Sequence, residues 1–80
     1  MYIYVLRDSQ GKLYKGLTND LARRLSEHKS GRTHTTAKMS GLRVAYQEHF
    51  EDFATARKRE LYFKTAAGRR LIKSRLSEGV

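Results

Sequence analysis

Residues 2–18 read YIYVLRDSQGKLYKGLT, and the way this stretch turns decides the fold. Tyr2–Leu6 is built of aromatic and β-branched residues, which suit a pleated, half-buried strand. Ser9, Gln10 and Gly11 make a three-residue hairpin loop, with Gly11 in the left-handed position that a residue without Cβ adopts at no steric cost. Leu13–Leu17 is then the returning strand. This loop pairs Asp8 with Lys12, Leu6 with Tyr14 and Tyr4 with Gly16, so Tyr4 and Tyr14 share a face as diagonal neighbours. A loop one residue shorter would put the tyrosines on opposite faces, because side chains alternate along a strand. Gly16, opposite Tyr4, is expected to leave open space beside the phenols, room for a phosphate.

Working outward, Thr18 or Asn19 can cap a helix through DLARRLSEHKS, with Asp20 in its first turn and Gly31 at its end. Leu21 and Leu25 form its core-facing stripe. Arg24 and His28, one turn apart, flank that stripe on one side, while Arg23 and Glu27 face water. GRTHTTAKMSG is polar, lacks periodicity and reads as a long loop, a length often associated with function. LRVAYQEHF restores alternation through Leu42, Val44 and Tyr46 and gives a third strand. Asp52 caps a second helix, FATARKRELYFKTA; Gly68 weakens it, and RRLIKSRL forms a short terminal helix with Leu71, Ile72 and Leu76 inward. The expected class is α+β in the order β-β-α-β-α-α, one domain over residues 1–80.

Eighty residues bearing 17 Lys and Arg against 8 Asp and Glu carry a formal charge of +9. Such a field draws polyanions, and nucleic acid is the leading partner class. Charge alone is equally consistent with solubility or with ribosomal RNA binding without chemistry. A domain this small buries only about 60% of its unfolded surface. With no cysteine, disulfides and thiolate metal ligands are excluded, and any metal site must use oxygen or imidazole ligands. The apolar opening Tyr2–Leu6 is too short for a signal-peptide core or a membrane span, so a cytoplasmic location without membrane contact is expected.

Glu60 is the most informative single residue. On a wheel of the second helix, Phe53, Ala56, Phe63 and Ala67 form an apolar arc, and Glu60 falls within about 20° of Phe53. A carboxylate aimed at the core needs an ion, a cation or water. Lys64 one turn on, or Arg24 across the core edge, would satisfy it without any function. The Arg24/His28 pair, taken alone, is equally common on basic helices that serve solubility. His34 and His49 stand in different settings and no zinc spacing occurs. Tyr2, Tyr46 and Tyr62 are read as packing residues. Tyr4 and Tyr14 differ, because nearby cations would favour a phenolate usable as a base.

In their order and spacing these segments resemble the GIY-YIG nuclease domain, shared by excision-repair nuclease subunits, homing endonucleases, some restriction enzymes and many small bacterial proteins. YIYVL is similar to its first motif, YKG at Tyr14–Gly16 to its second, TNDLARRLSEHKSG to the following helix, and ATARKRELYFK to the helix with the metal-binding glutamate. Tyr2 stands where the first motif has glycine, Lys15 replaces the middle residue of the second, and no proline precedes the third strand. The resemblance implies a three-stranded antiparallel sheet flanked by helices, and hydrolysis of DNA phosphodiesters with one divalent cation, Mg2+ or Mn2+. It implies Glu60 as metal ligand, Arg24 offsetting charge on phosphorus, Tyr4 or Tyr14 taking a proton from water, and His28 orienting the phosphate or assisting proton transfer. Lys15, Arg23, Arg32, Lys38 and Lys64 are the basic side chains expected on nucleic acid. So small a surface favours structure-specific or single-stranded substrates, as in DNA repair, over a long recognition sequence. The rival is a nucleic-acid-binding module without turnover, or one needing a protein partner for targeting. An RNA-recognition role is disfavoured, since the paired exposed aromatics of such sheets are absent.

Overall fold

The computed structural model describes residues 1–31 and 39–78, so Arg32, Lys38 and most of the polar loop lie outside the described residues. Its elements are β1 (Tyr2–Arg7), β2 (Leu13–Thr18), α1 (Leu21–Lys29), β3 (Arg43–His49), α2 (Phe53–Phe63) and α3 (Ala66–Glu78). The strands form one antiparallel sheet in the order β2-β1-β3. The hairpin register is the expected one, with Tyr4 opposite Gly16 and Leu6 opposite Tyr14, and Gly11 adopts a φ of 85°. Asp8 is buried because its carboxylate clamps this turn, accepting from the backbone N–H groups of Gln10 (3.0 Å) and Lys12 (2.7 Å).

Strand β1 is central and buried on both faces. Ile3 and Val5 pack with Phe63 of α2 and Ile72 of α3, and Leu71 and Leu76 lie against that cluster as their spacing predicts. Tyr4 and Leu6 pack with Leu42 on the other face, against Tyr14, Leu21, Leu25, Met39 and Val44. Strand β3 departs from simple alternation. Val5 pairs with Tyr46 but Leu6 with Val44, so Ala45 is an extra, bulged residue. Leu42 and Val44 therefore face the α1 layer and Tyr46 the α2/α3 layer, rather than all three sharing a face.

The helix ends correct two further expectations. The N-cap of α1 is Asp20, not Thr18 or Asn19; its side chain accepts from the N–H of Arg23 at 3.1 Å, while the Thr18 hydroxyl accepts from the N–H of Asp20 at 3.1 Å. Gly31, at φ 78°, ends the helix as expected. Asp52 caps α2, accepting from the N–H of Thr55. However, α2 stops at Phe63, and α3 begins ahead of Gly68, whose N–H is bound by the Thr65 hydroxyl at 3.1 Å. Gly68 is no breaker: a Cβ there would lie 2.0 Å from the Tyr62 carbonyl oxygen and 2.5 Å from the Phe63 Cα. It lets α3 fold back tightly on the end of α2. Among the described residues no helix is long and apolar enough to cross a membrane.

Candidate active site

Packing of Leu21 and Leu25 against the sheet turns the Arg24 and His28 face of α1 toward the hairpin tyrosines. His28 is only 1% exposed, and its Nε2 lies 2.9 Å from the Tyr4 hydroxyl. Arg24 donates from Nε to the same hydroxyl (3.3 Å) and from Nη1 to Glu27 (3.2 Å), so Glu27 is half-buried and paired rather than turned freely to water. Burial pushes the Tyr4 phenol above its ordinary value, against the pull of Arg24. Burial, then the charge of Arg24, hold the His28 imidazole below its ordinary value. Guanidinium can only donate, so the Tyr4 hydroxyl accepts from Arg24 and shares a further hydrogen bond with Nε2 of His28.

Tyr14 lies half-buried beside this group, its ring centroid 6.3 Å from Tyr4 and 4.9 Å from His28. The two phenols share a face, as the hairpin loop requires. The space over Gly16 is not open, however: a Cβ there would fall 2.3 Å from the Tyr4 hydroxyl oxygen. The glycine accommodates the tyrosine itself, rather than room for a phosphate.

The other wall comes from α2. Arg59 donates to both carboxylate oxygens of Glu48 on β3 (3.1 and 3.3 Å), and its guanidinium lies 4.6 Å from the Phe63 ring centroid. Tyr46 donates to the same Glu48, and burial raises its phenol above the ordinary value. Lys15 donates to the Phe63 carbonyl at 3.1 Å, tying the end of α2 to β2. Its ammonium is held below the ordinary value by burial and then by Arg69 and Lys64. Tyr62, expected to pack, is 38% exposed under Arg59.

So held, α2 buries Ala56, Glu60 and Phe63. Ala67 falls in α3 and is exposed. Phe53 shares the inward stripe but is 59% exposed. Glu60 is ion-paired with Arg57, three residues back, instead of Lys64 or Arg24. An i, i+3 pair lies within reach on a helix surface, so the spacing of Arg57 and Glu60 is itself a signal in the sequence.

These walls bound an open cleft of about 440 Å³ at the β2 edge, lined by Tyr4, Tyr14, Gly16, Arg24, Arg57 and Glu60 together with Lys15, Leu17, Phe53 and Lys64. His28 sits behind Tyr4, and Arg23 lies outside the cleft with its guanidinium on Asn19. Among the described residues no three His, Asp or Glu side chains gather as a metal-binding group. A single carboxylate in a water-accessible cleft still suits a hard cation that keeps most of its water and takes phosphate oxygens.

The chain matches the GIY-YIG catalytic domain over residues 1–73. It is 33% identical over 79 residues to a UPF0213 protein of Staphylococcus saprophyticus, covering 98% of this chain and 95% of that one. It is 41% identical over 66 residues to a UPF0213 protein of Bacillus pumilus, covering 80% of this chain and 66% of that one. A UPF0213 protein of Streptococcus agalactiae is 38% identical over 65 residues, 79% of this chain and 73% of its own. No solved structure matches. With that family model matched over residues 1–73 of the chain's 80, the chain belongs to the GIY-YIG nuclease-domain family.

Proposed function

We propose that the chain is a divalent-metal-dependent endonuclease that hydrolyses DNA phosphodiester bonds, acting in the cytoplasm on unpaired or branched DNA of the kind repair presents. One observation carries this reading: Tyr14, Arg24 and Glu60, from three separate elements, line a single cleft in a chain of charge +9. Tyr14 is the better base of the two tyrosines. Tyr4 is 1% exposed, its hydroxyl is already engaged by His28 and Arg24, and burial raises its pKa. Tyr14 reaches the cleft and, acting as its phenolate, can take a proton from water there to become the neutral phenol. Tyr4 then positions: it fixes Arg24, whose guanidinium offsets charge growing on the phosphoryl oxygens, and its hydroxyl is tied to His28 by a hydrogen bond. Glu60 is the residue that would hold Mg2+ or Mn2+, whose chemistry there would be to polarise the phosphate and stabilise the leaving oxygen. Lys64, which also lines the cleft, would hold a neighbouring phosphate.

Incubation with single-stranded, flapped and duplex DNA in Mg2+, Mn2+ or EDTA tests this. Cleavage that needs the ion and disappears in Glu60→Ala is expected; equal cleavage by wild type and Glu60→Ala refutes the assigned mechanism. The Arg57–Glu60 ion pair favours a second reading, in which the scaffold binds nucleic acid without turnover, or acts only with a protein partner that targets it. A salt-dependent gel shift insensitive to Arg24→Ala, with no products, would support that instead.

A further inference from the structure

Four large hydrophobic side chains stand out in water among the described residues: Leu13 (36%), Phe53 (59%), Leu61 (48%) and Tyr62 (38%). Scattered apolar exposure is ordinary and needs no function. Phe53 differs in where it stands. It borders the active-site cleft, and it also borders a second, shallower hollow of about 590 Å³ lined by Met1, Leu17, Asn19, Arg23, Arg24 and Glu27. Phe53, Leu17 and Arg24 are the residues common to the two hollows, so Phe53 is the exposed ring at their shared border. Its exposure follows from the fold. Phe53 is the first residue of α2, and the residues below it on that stripe, Ala56, Glu60 and Phe63, are buried. Among the described residues no other ring stacks on it.

We infer that Phe53 is a stacking platform for an unpaired nucleobase flanking the scissile phosphate, with Arg23 and Arg24 holding the adjoining backbone in the second hollow. The identity of the polymer rests on the nuclease reading above. A bare aromatic face bordered by guanidinium groups is the combination by which single strands are held without regard to sequence: cations follow the phosphates, and a ring accepts the π-face of any base. In a duplex the flanking base is already stacked and paired, so the subsite discriminates for single strands, flaps and gaps.

The test uses the full chain in EDTA, so that turnover does not enter, with a short single-stranded oligonucleotide and its duplex measured by fluorescence anisotropy at several salt concentrations. Phe53→Ala should weaken single-strand binding about tenfold, the order expected for losing one base–aromatic stack. Duplex binding should change by less than about twofold, and the slope of log K against log salt should stay at its wild-type value, because no charge is lost. Phe53→Tyr should restore affinity. Phe53→Trp would place the sole tryptophan in a chain that has none, and its emission should be quenched by the oligonucleotide but not by an oligonucleotide abasic at the stacked position. Equal loss for single strand and duplex, or no loss with Phe53→Ala, overturns the inference. Loss of single-strand affinity without any cleavage by wild type in Mg2+ or Mn2+ would instead sink the nuclease reading and leave this subsite standing. Circular dichroism separates misfolding from lost stacking, and the tryptophan readout keeps the test decisive if the alanine variant fails to fold.

Discussion

Gly16→Ala tests the placement of the whole tyrosine cluster with a single methyl group. The added Cβ would lie 2.3 Å from the Tyr4 hydroxyl oxygen, 2.5 Å from Cζ and 2.9 Å from Cε1, whereas real Cβ contacts do not fall below 3.0 Å. The tip of Tyr4 must therefore retreat by at least 0.7 Å. A surface tyrosine would swing away at little cost; this one is 1% exposed, packed among Leu6, Leu42 and the α1 leucines, and bonded to His28 and Arg24. Losing either bond leaves a buried polar group without its partner, at about 1–3 kcal/mol. A shift of about 1 Å in a catalytic group can cost about 100-fold in rate. We expect Gly16→Ala to lower the unfolding free energy by about 2 kcal/mol and the single-turnover cleavage rate about 100-fold, with oligonucleotide affinity in EDTA changed little. Denaturant unfolding and quenched-flow cleavage measure both. A variant with the wild-type rate and midpoint would refute the claim that the phenol rests on Gly16.

Tyr14→Phe should abolish cleavage while leaving stability within about 0.5 kcal/mol, whereas Tyr4→Phe should cost about 1–3 kcal/mol of stability because His28 and Arg24 lose a shared partner; calorimetry alongside cleavage assays separates the two roles. His28 is held below its ordinary pKa in the folded state, so the unfolded chain takes up the proton first as pH falls. Its contribution is complete above about pH 6.5 and is lost as pH drops toward the folded value, with a slope of at most about 1.4 kcal/mol per pH unit. Unfolding curves between neutral and mildly acidic pH should show this loss, and His28→Gln should remove it. Gly68→Ala should destabilise by about 2 kcal/mol despite a helix-propensity gain of about 1 kcal/mol, since the clash is with backbone; a raised melting temperature would contradict the α2–α3 packing. Arg57→Leu should strengthen Mn2+ binding to the nucleic-acid-free protein about fivefold, the worth of a partly exposed ion pair, as read by electron paramagnetic resonance; unchanged affinity would mean Arg57 does not compete with the ion.

The hairpin was legible because one glycine at the turn and a two-residue period determine which side chains meet, and both act within a few residues. Tyr4 and Tyr14 could therefore be set on one face from sequence. Glu60 was legible through a helical wheel, since a carboxylate inside an apolar arc is conspicuous. Partners were harder. The choice of Arg57 for Glu60 depends on rotamers and on the tilt of α2, which is set by Arg59 on Glu48 and Lys15 on the Phe63 carbonyl, contacts between distant segments. Ala45 escaped because a bulge leaves no mark in a run that still alternates on paper; only pairing with β1 reveals the extra residue. Gly68 misled because low helix propensity and a need for close backbone approach select the same residue. Phe53 was placed correctly by face and wrongly by burial, since a wheel carries no information about where the neighbouring sheet ends.

Strand β1 separates two interiors, with Ile3 and Val5 belonging to one and Tyr4 and Leu6 to the other. A partition shared in this way cannot soften on one side alone. Tyr4 stays in place only while Phe63 and Ile72 press against its neighbours from behind, although Ile72 lies nowhere near the cleft. The amides of β1 should then exchange with solvent only through global unfolding, and the tyrosine cluster should have no melting event of its own. Such a chain has little scope to gain activity by loosening its site, and variants that adapt it to cold or heat would have to retune both interiors together.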